Sequence, residues 1–185
     1  VEEVESMSRK KIGVRLKLAH ETFGNLVDEV LARSGLSSPD PSSGGVAEII
    51  LDYPLAWAFG QLDTMNSIER ARTLVVTQSA HPAYHDCLAS YHVSGVVEST
   101  NEPALLSGVY AAAASQRTYQ WKSGLTYMEL RVTRLLLRGF DTGRAAAQLS
   151  ISFKTVNAHV SNVLGKLGYD NRAQLVAGLL SHHQA

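Results

Sequence analysis

Between residues 154 and 166 the apolar side chains fall on one face of a helix, and nothing large and apolar falls on the other. Val156, Val160, Val163, Leu164 and Leu167 recur at i, i+4, i+7, i+8 and i+11, the spacing of a helix buried along a single stripe. The opposite face carries Lys154, Ala158, Ser161, Asn162 and Gly165, with Asn157 and Lys166 on its flanks. A helix of this kind must be packed against neighbours on one side and left open on the other. Its open side is small, polar and weakly basic, which is what a helix lying against base edges in a major groove requires. Asn157 and Ser161 can hydrogen-bond bases, and the Ala158 methyl can touch a thymine methyl. Lys154, Thr155 and Lys166 suit phosphates, which position a helix without reading sequence.

The residues before this helix supply the rest of a small bundle. Thr126 followed by Glu129 forms a capping box, and Leu130, Leu135 and Leu136 give the first helix its apolar stripe before Gly139 ends it. Residues 142–149, with Ala145, Ala146 and Leu149, make a short second helix whose small side chains allow close crossing. Ile151 and Ser152 form the turn, and Ser152 caps the third helix. The string L-T-x-x-E, V-x-x-L-L-x-x-G, A-x-x-L-x-I-S-x-x-T-V-x-x-H-V-x-N-V-L-x-K-L-G and N-R-A-Q-L-V resembles the LuxR/NarL-type (FixJ-like) DNA-binding domain. The resemblance covers residues 125–180. It implies a four-helix, all-α helix-turn-helix domain whose third helix enters the major groove of double-stranded DNA. It also implies a fourth helix, at about residues 172–180, that forms a homodimer on a palindromic site. By position, Asn157, Ala158 and Ser161 match the family's base-reading slots. Met128, Arg144, Ala145 and Asn157 depart from its usual Arg, Glu, Ile and Lys, which puts some pairing inside the domain and one contact to DNA in question.

Residues 1–121 read differently. They hold nine Lys or Arg against fourteen Asp or Glu, whereas residues 122–185 hold eight against three. This division fits an acidic head on a DNA-binding tail. Residues 11–18 alternate as a strand, residues 22–34 carry helical spacing, and residues 34–45 are a Ser-, Pro- and Gly-rich loop. The apolar runs 46–51 and 73–77 read as buried parallel strands. Residues 84–91 and 103–114 read as helices flanking a short strand at 95–97. Strands alternating with helices predict an α/β head over residues 8–114, a linker over 115–124, and the helix-turn-helix domain over 125–185.

The head resembles the receiver domains of response regulators, a flavodoxin-like fold. Asp52 sits where the phosphoaccepting Asp is expected, and Thr77 takes the position of the switch Thr or Ser. The magnesium-binding acidic pair that such chemistry needs is replaced by the stretch from Lys17 to Glu21, where Glu21 is the single acid. The family's phosphate-contacting Lys aligns with Ser99, and its switch aromatic with Val96. The chain is also about a dozen residues short before Asp52, which leaves room for the loss of one strand and helix from the doubly wound order. The expectation is an atypical receiver, with a small molecule or protein as effector at the head.

Other chemistry finds little support. His81, His85, Asp86, Cys87 and His92 could suggest zinc, but Pro82 breaks the histidine spacing and Cys87 is the single cysteine. No metal or other cofactor is expected. No glycine-rich phosphate loop or nucleophile–base arrangement points to an enzyme. No apolar run approaches the roughly 20 residues of a membrane span, and residues 1–11 lack the apolar core of a signal peptide, so a cytoplasmic address is expected. Two other readings stay open: a conventional response regulator phosphorylated on Asp52, and a protein-interaction module whose helix-turn-helix does not read DNA.

Overall fold

The computed structural model describes residues 12–19, 29, 32, 33 and 46–181. The predicted helix at 22–34, the loop at 34–45, Glu21 and the tail histidines therefore fall wholly or mostly outside the described residues. Four parallel strands form one sheet in the order β1 (Gly13–Lys17), β2 (Val46–Asp52), β3 (Thr73–Thr77) and β4 (Gly95–Glu98). The register sets Leu16 opposite Ile49, Ile49 opposite Leu74, and Val75 opposite Val96. The runs VAEIILD and TLVVT are almost continuously apolar because both faces of the sheet are covered.

Successive side chains of each strand point to opposite faces, and two separate cores result. On one face Ile49, Leu74 and Val76 pack against Leu105, Val109 and Ala112 of α4 (Glu102–Ala113). A Cβ on Gly108 would come within 2.7 Å of Leu74 Cδ1, so a larger residue there would push the Leu74 side chain aside. On the other face Ile50, Val75 and Val96 meet Phe59, Leu62, Tyr84 and Leu88. These come from α1 (Trp57–Thr64) and α3 (Pro82–Ala89), with the single turn α2 (Ser67–Ala71) between α1 and β3.

A flavodoxin-like sheet has strand order 2-1-3-4-5. The four described strands, in the order β1-β2-β3-β4, match the 1-3-4-5 part of that arrangement. The remaining strand readings hold within a residue or two. The helix expected at 84–91 starts earlier, because His81 Nδ1 accepts the Ala83 N–H and Pro82 occupies the first turn, where its missing N–H costs nothing.

After residues 115–124, which contain no helix or strand, four helices follow: α5 (Tyr127–Leu137), α6 (Thr142–Leu149), α7 (Phe153–Leu167) and α8 (Arg172–Leu179). Their boundaries are written in local chemistry. Thr126 and Glu129 complete the capping box of α5, and Asp141, Ser152 and Asn171 cap the others. Gly139 and Gly168 stand at φ 77° and 75°, where the chain leaves each helix through the left-handed region that glycine accepts. Leu130, Val132, Leu135, Val156, Val160, Val163, Leu175 and Leu179 form the shared core.

The helical part packs directly on the α/β part. Cys87 of α3 lies against the Leu130 carbonyl of α5, and the core on that face of the sheet runs on into the helices. Ser79 Oγ donates to the Leu179 carbonyl at 3.0 Å, and Arg138 pairs with Asp63 at 2.6 Å. Asp86 of α3 receives the linker: the Tyr119 hydroxyl, the backbone N–H groups of Lys122 and Ser123, and the Ser123 hydroxyl all donate to its carboxylate.

Candidate nucleic-acid interface and receiver-like pocket

Helices α6 and α7 are joined by a three-residue turn, residues 150–152, with Ser150 at φ 55°. Val156, Val160 and Val163 bury one face of α7, while Lys154, Thr155, Ala158, Ser161, Asn162 and Gly165 are exposed on the other. The α/β part leaves this exposed face uncovered. The Ser152 hydroxyl accepts the Thr155 N–H and shares a hydrogen bond with the Thr155 hydroxyl, so Thr155 sits fixed at the open start of the helix. His159 is partly buried in α7.

Two of the expected contact residues also serve the fold. Lys166 Nζ lies 2.7 Å from Glu129 Oε2 and reaches the Gly124 carbonyl. Burial works against the Glu129 carboxylate, yet the Lys166 ammonium and the donors of Thr126 outweigh it and hold its pKa below the ordinary value. Asn157 Oδ1 accepts from Arg172 at 3.0 Å and from Thr142 at 3.5 Å. A bidentate grip on adenine uses both the oxygen and the nitrogen of the amide, and here the oxygen already links α7 to α6 and α8. These pairs tie α7 to the start of α5, to α6 and to α8.

In the α/β part, Asp52 and Thr77 stand side by side at the ends of β2 and β3, where the receiver comparison puts them. Thr77 Oγ1 donates to Asp52 Oδ2 at 3.1 Å, the Ala58 N–H donates to Oδ1 at 2.9 Å, and the Tyr84 hydroxyl donates to Oδ2. The Tyr84 hydroxyl in turn accepts the Ala56 N–H. Asp52 is 1% exposed. Burial raises its pKa, against the hydrogen bonds from Tyr84, Ala58 and Thr77. Three donors thus occupy three of the roughly four acceptor sites of this buried carboxylate. Sequence reading put Tyr84 in a helix and missed this role, because its partners lie 28 and 32 residues away.

The histidine cluster separates into unrelated jobs. His81 caps α3 and meets the Tyr169 hydroxyl, while His85 is buried on the Ser79 carbonyl. Asp86 holds the linker, Cys87 is buried, and His92 stacks on Tyr127. Among the described residues no three such groups converge on a metal-sized site.

A receiver-like parallel sheet joined to a helix-turn-helix with one open helix face defines a regulator of the helix-turn-helix class. The family model for the luxR family of bacterial regulatory proteins matches residues 123–178. The chain is 42% identical over 65 residues to the spore germination protein GerE of Bacillus subtilis, covering 35% of this chain and 88% of GerE. The chain belongs to the luxR family of bacterial regulatory proteins. A candidate HTH-type transcriptional regulator from the exeN 3' region of Aeromonas salmonicida is 33% identical over 129 residues, which are 66% of this chain and 63% of that protein. The response regulator VraR of Staphylococcus aureus is 36% identical over 59 residues, 32% of this chain and 28% of VraR. The chain thus spans most of GerE but under two thirds of the other two. RcsB from Salmonella enterica serovar Typhimurium, solved bound to promoter rprA with a phosphomimetic, shares the fold with a TM-score of 0.57 and 17% identity. That match covers 92% of this chain and 99% of RcsB.

Proposed function

We propose that this protein is a cytoplasmic, sequence-specific DNA-binding transcription regulator, acting as a homodimer on a palindromic site without phosphorylation of Asp52. It consists of an atypical receiver (residues 8–114), a linker (115–124) and a helix-turn-helix domain (125–185). It is a regulator rather than an enzyme, needs no cofactor, and takes its input from an effector at the head. The observation that carries the reading is the uncovered face of α7, small and polar beside a fully buried valine stripe. Ala158, Ser161 and Asn162 face the bases, Lys154 and Thr155 take phosphates, and Asn157 and Lys166 set the angle of the helix through Arg172 and Glu129. The luxR-family match and the promoter-bound neighbour RcsB support it. Among the described residues no helix is long and apolar enough to cross a membrane.

Selection of genomic fragments by the purified, unphosphorylated protein tests this reading and should recover one palindromic sequence. On that sequence, Lys154→Ala should weaken binding to specific and random duplexes alike and reduce the salt slope by about 1 per protomer. Ser161→Ala should instead relax preference at one base position, by about 1 kcal/mol for the single hydrogen bond of a hydroxyl. Equal losses for both variants on every duplex would sink the division of roles, and no selected sequence would sink the reader.

The pairing of Asp52 with Thr77 also suits a conventional, phosphorylated receiver. Beryllofluoride with Mg²⁺ separates the two. The closed Asp52 predicts no change in oligomeric state or DNA affinity on adding it. A shift that Asp52→Ala abolishes would establish the conventional mechanism instead.

A further inference from the structure

A second basic site lies away from the open face of α7. Arg131, Arg134 and Arg138 stand at i, i+3 and i+7 on α5, so they line one helix stripe. That stripe borders a cleft of about 420 Å³ between the helical and α/β parts, and Arg70 of α2 enters it from the other side. The volume lies within the range of small-molecule sites. Asp63 is the sole acid lining the cleft, and it is already taken by Arg138 at 2.6 Å and by the Tyr91 hydroxyl at 2.7 Å. Among the described residues, Arg70, Arg131 and Arg134 have no carboxylate within 4.0 Å of their side chains.

The fold holds these three guanidinium groups in place without neutralising them. Arg134 lies 4.0 Å over the Tyr91 ring and donates to Ser90 Oγ at 3.0 Å. Arg131 lies 5.9 Å from the centre of the Tyr127 ring. Arg70 donates from Nε to the Met65 carbonyl at 3.1 Å. A guanidinium carries five donor hydrogens, so each group keeps donors to spare. All three are partly buried and line one cleft, so an anion placed among them would be attracted by each. His92 at the rim feels the same field: partial burial first, then Arg117, Arg70 and Arg134, lower its pKa.

We propose that the cleft between α2 and α5 binds a small phosphorylated molecule carrying at least two negative charges. Phosphate is the group for which several convergent arginine forks are best suited. Because Arg70 belongs to one part of the chain and Arg131 and Arg134 to the other, an occupant ties the two parts together. The same chemistry could come from a nucleic-acid backbone. The free molecule is favoured, since none of the residues that line the cleft lies on the open face of α7. The inference does not depend on the DNA-reading role.

Isothermal titration of the full chain with inorganic pyrophosphate at constant ionic strength tests it. One saturable site per chain is expected. The paired variant Arg70→Gln with Arg131→Gln should weaken it at least tenfold while keeping the thermal midpoint of the unliganded protein. Lys154→Ala, on the open face of α7, should leave it unchanged. Absence of saturable binding to the unaltered protein, or an equal loss in Lys154→Ala, would overturn the proposal. A short random-sequence duplex should bind together with pyrophosphate. Displacement of pyrophosphate by the duplex would give the site to the DNA backbone and overturn the small-molecule assignment.

Discussion

Asp86→Ala is expected to lower stability by about 3 kcal/mol and to split one cooperative unfolding transition into two. Asp86 is 1% exposed and is the acceptor for every polar contact that fixes the linker to α3. The Tyr119 hydroxyl donates at 2.7 Å, the Ser123 N–H at 2.7 Å and the Lys122 N–H at 3.1 Å. A hydrogen bond to a charged group contributes about 1.5–3 kcal/mol. The sum is reduced in practice, because the freed linker donors can reach water. The remaining polar contacts between the two parts are single ones, among them the buried Ser79–Leu179 hydrogen bond. The Arg138–Asp63 pair is partly exposed, with side chains 26% and 40% accessible, and such pairs contribute about 0–1 kcal/mol. The apolar seam around Cys87 and Leu130, with the Ser79–Leu179, Arg134–Ser90 and His81–Tyr169 contacts, would then hold the parts together. Calorimetry should show two transitions, and limited proteolysis should cut within residues 115–124 faster than in the unaltered protein. Asp86→Asn keeps the volume but accepts through one oxygen, and should fall between the two. A single transition with unchanged proteolysis in Asp86→Ala would show that the seam and the remaining contacts couple the parts without the linker's anchor on α3.

The contrast between Asp86 and Thr126 explains how much could be read in advance. Thr126 meets Glu129 three residues away, so the start of α5 is written in four consecutive letters. Asp141, Ser152, Asn171, Gly139 and Gly168 are equally local signals, and the helical part was legible nearly to the residue. The strands β2 and β3 were legible because burial on both faces demands unbroken apolar runs. Residues 57–71 received no reading, although Asn66 and Glu69 form a capping box that marks the start of α2. Asp86 and Tyr84 belong to another category. Asp86 meets its partners 33 to 37 residues away, and Tyr84 meets Asp52 at a separation of 32. No short pattern encodes such a meeting, since it exists only once the sheet has set β2 beside β3. The arginine stripe of α5 had a visible spacing, but its meaning depends on Arg70, which the fold brings from another element. Likewise the open face of α7 was legible from its own period, whereas the internal duties of Asn157 and Lys166 were not.

Tyr84→Ala should destabilise the protein by about 4 kcal/mol, within the usual cost of deleting a buried aromatic side chain. Tyr84 is fully buried, and Phe59 meets its ring edge-on at 5.6 Å. The hydroxyl adds a separate effect that Tyr84→Phe isolates. Removing it strips Asp52 of one donor and the Ala56 N–H of its acceptor, at about 1–3 kcal/mol for a buried group left unsatisfied. Part of that cost must depend on pH. Burial raises the folded-state pKa of Asp52 above its ordinary value, and the Tyr84 hydrogen bond is the largest influence pulling it back down. The folded state therefore binds more proton than the unfolded chain between the ordinary value of 3.8 and the raised one, and the Asp52 contribution to stability falls as pH rises through that window. In Tyr84→Phe the window extends further upward, so its deficit relative to the unaltered protein should be larger at pH 7 than at pH 4. Urea titrations at the two pH values measure this directly. An equal deficit at both would mean that Asp52 ionises without help from Tyr84. The cage would then be held mainly by Thr77 and Ala58, and the closing of the pocket would rest on the bulk of the ring rather than on its hydroxyl.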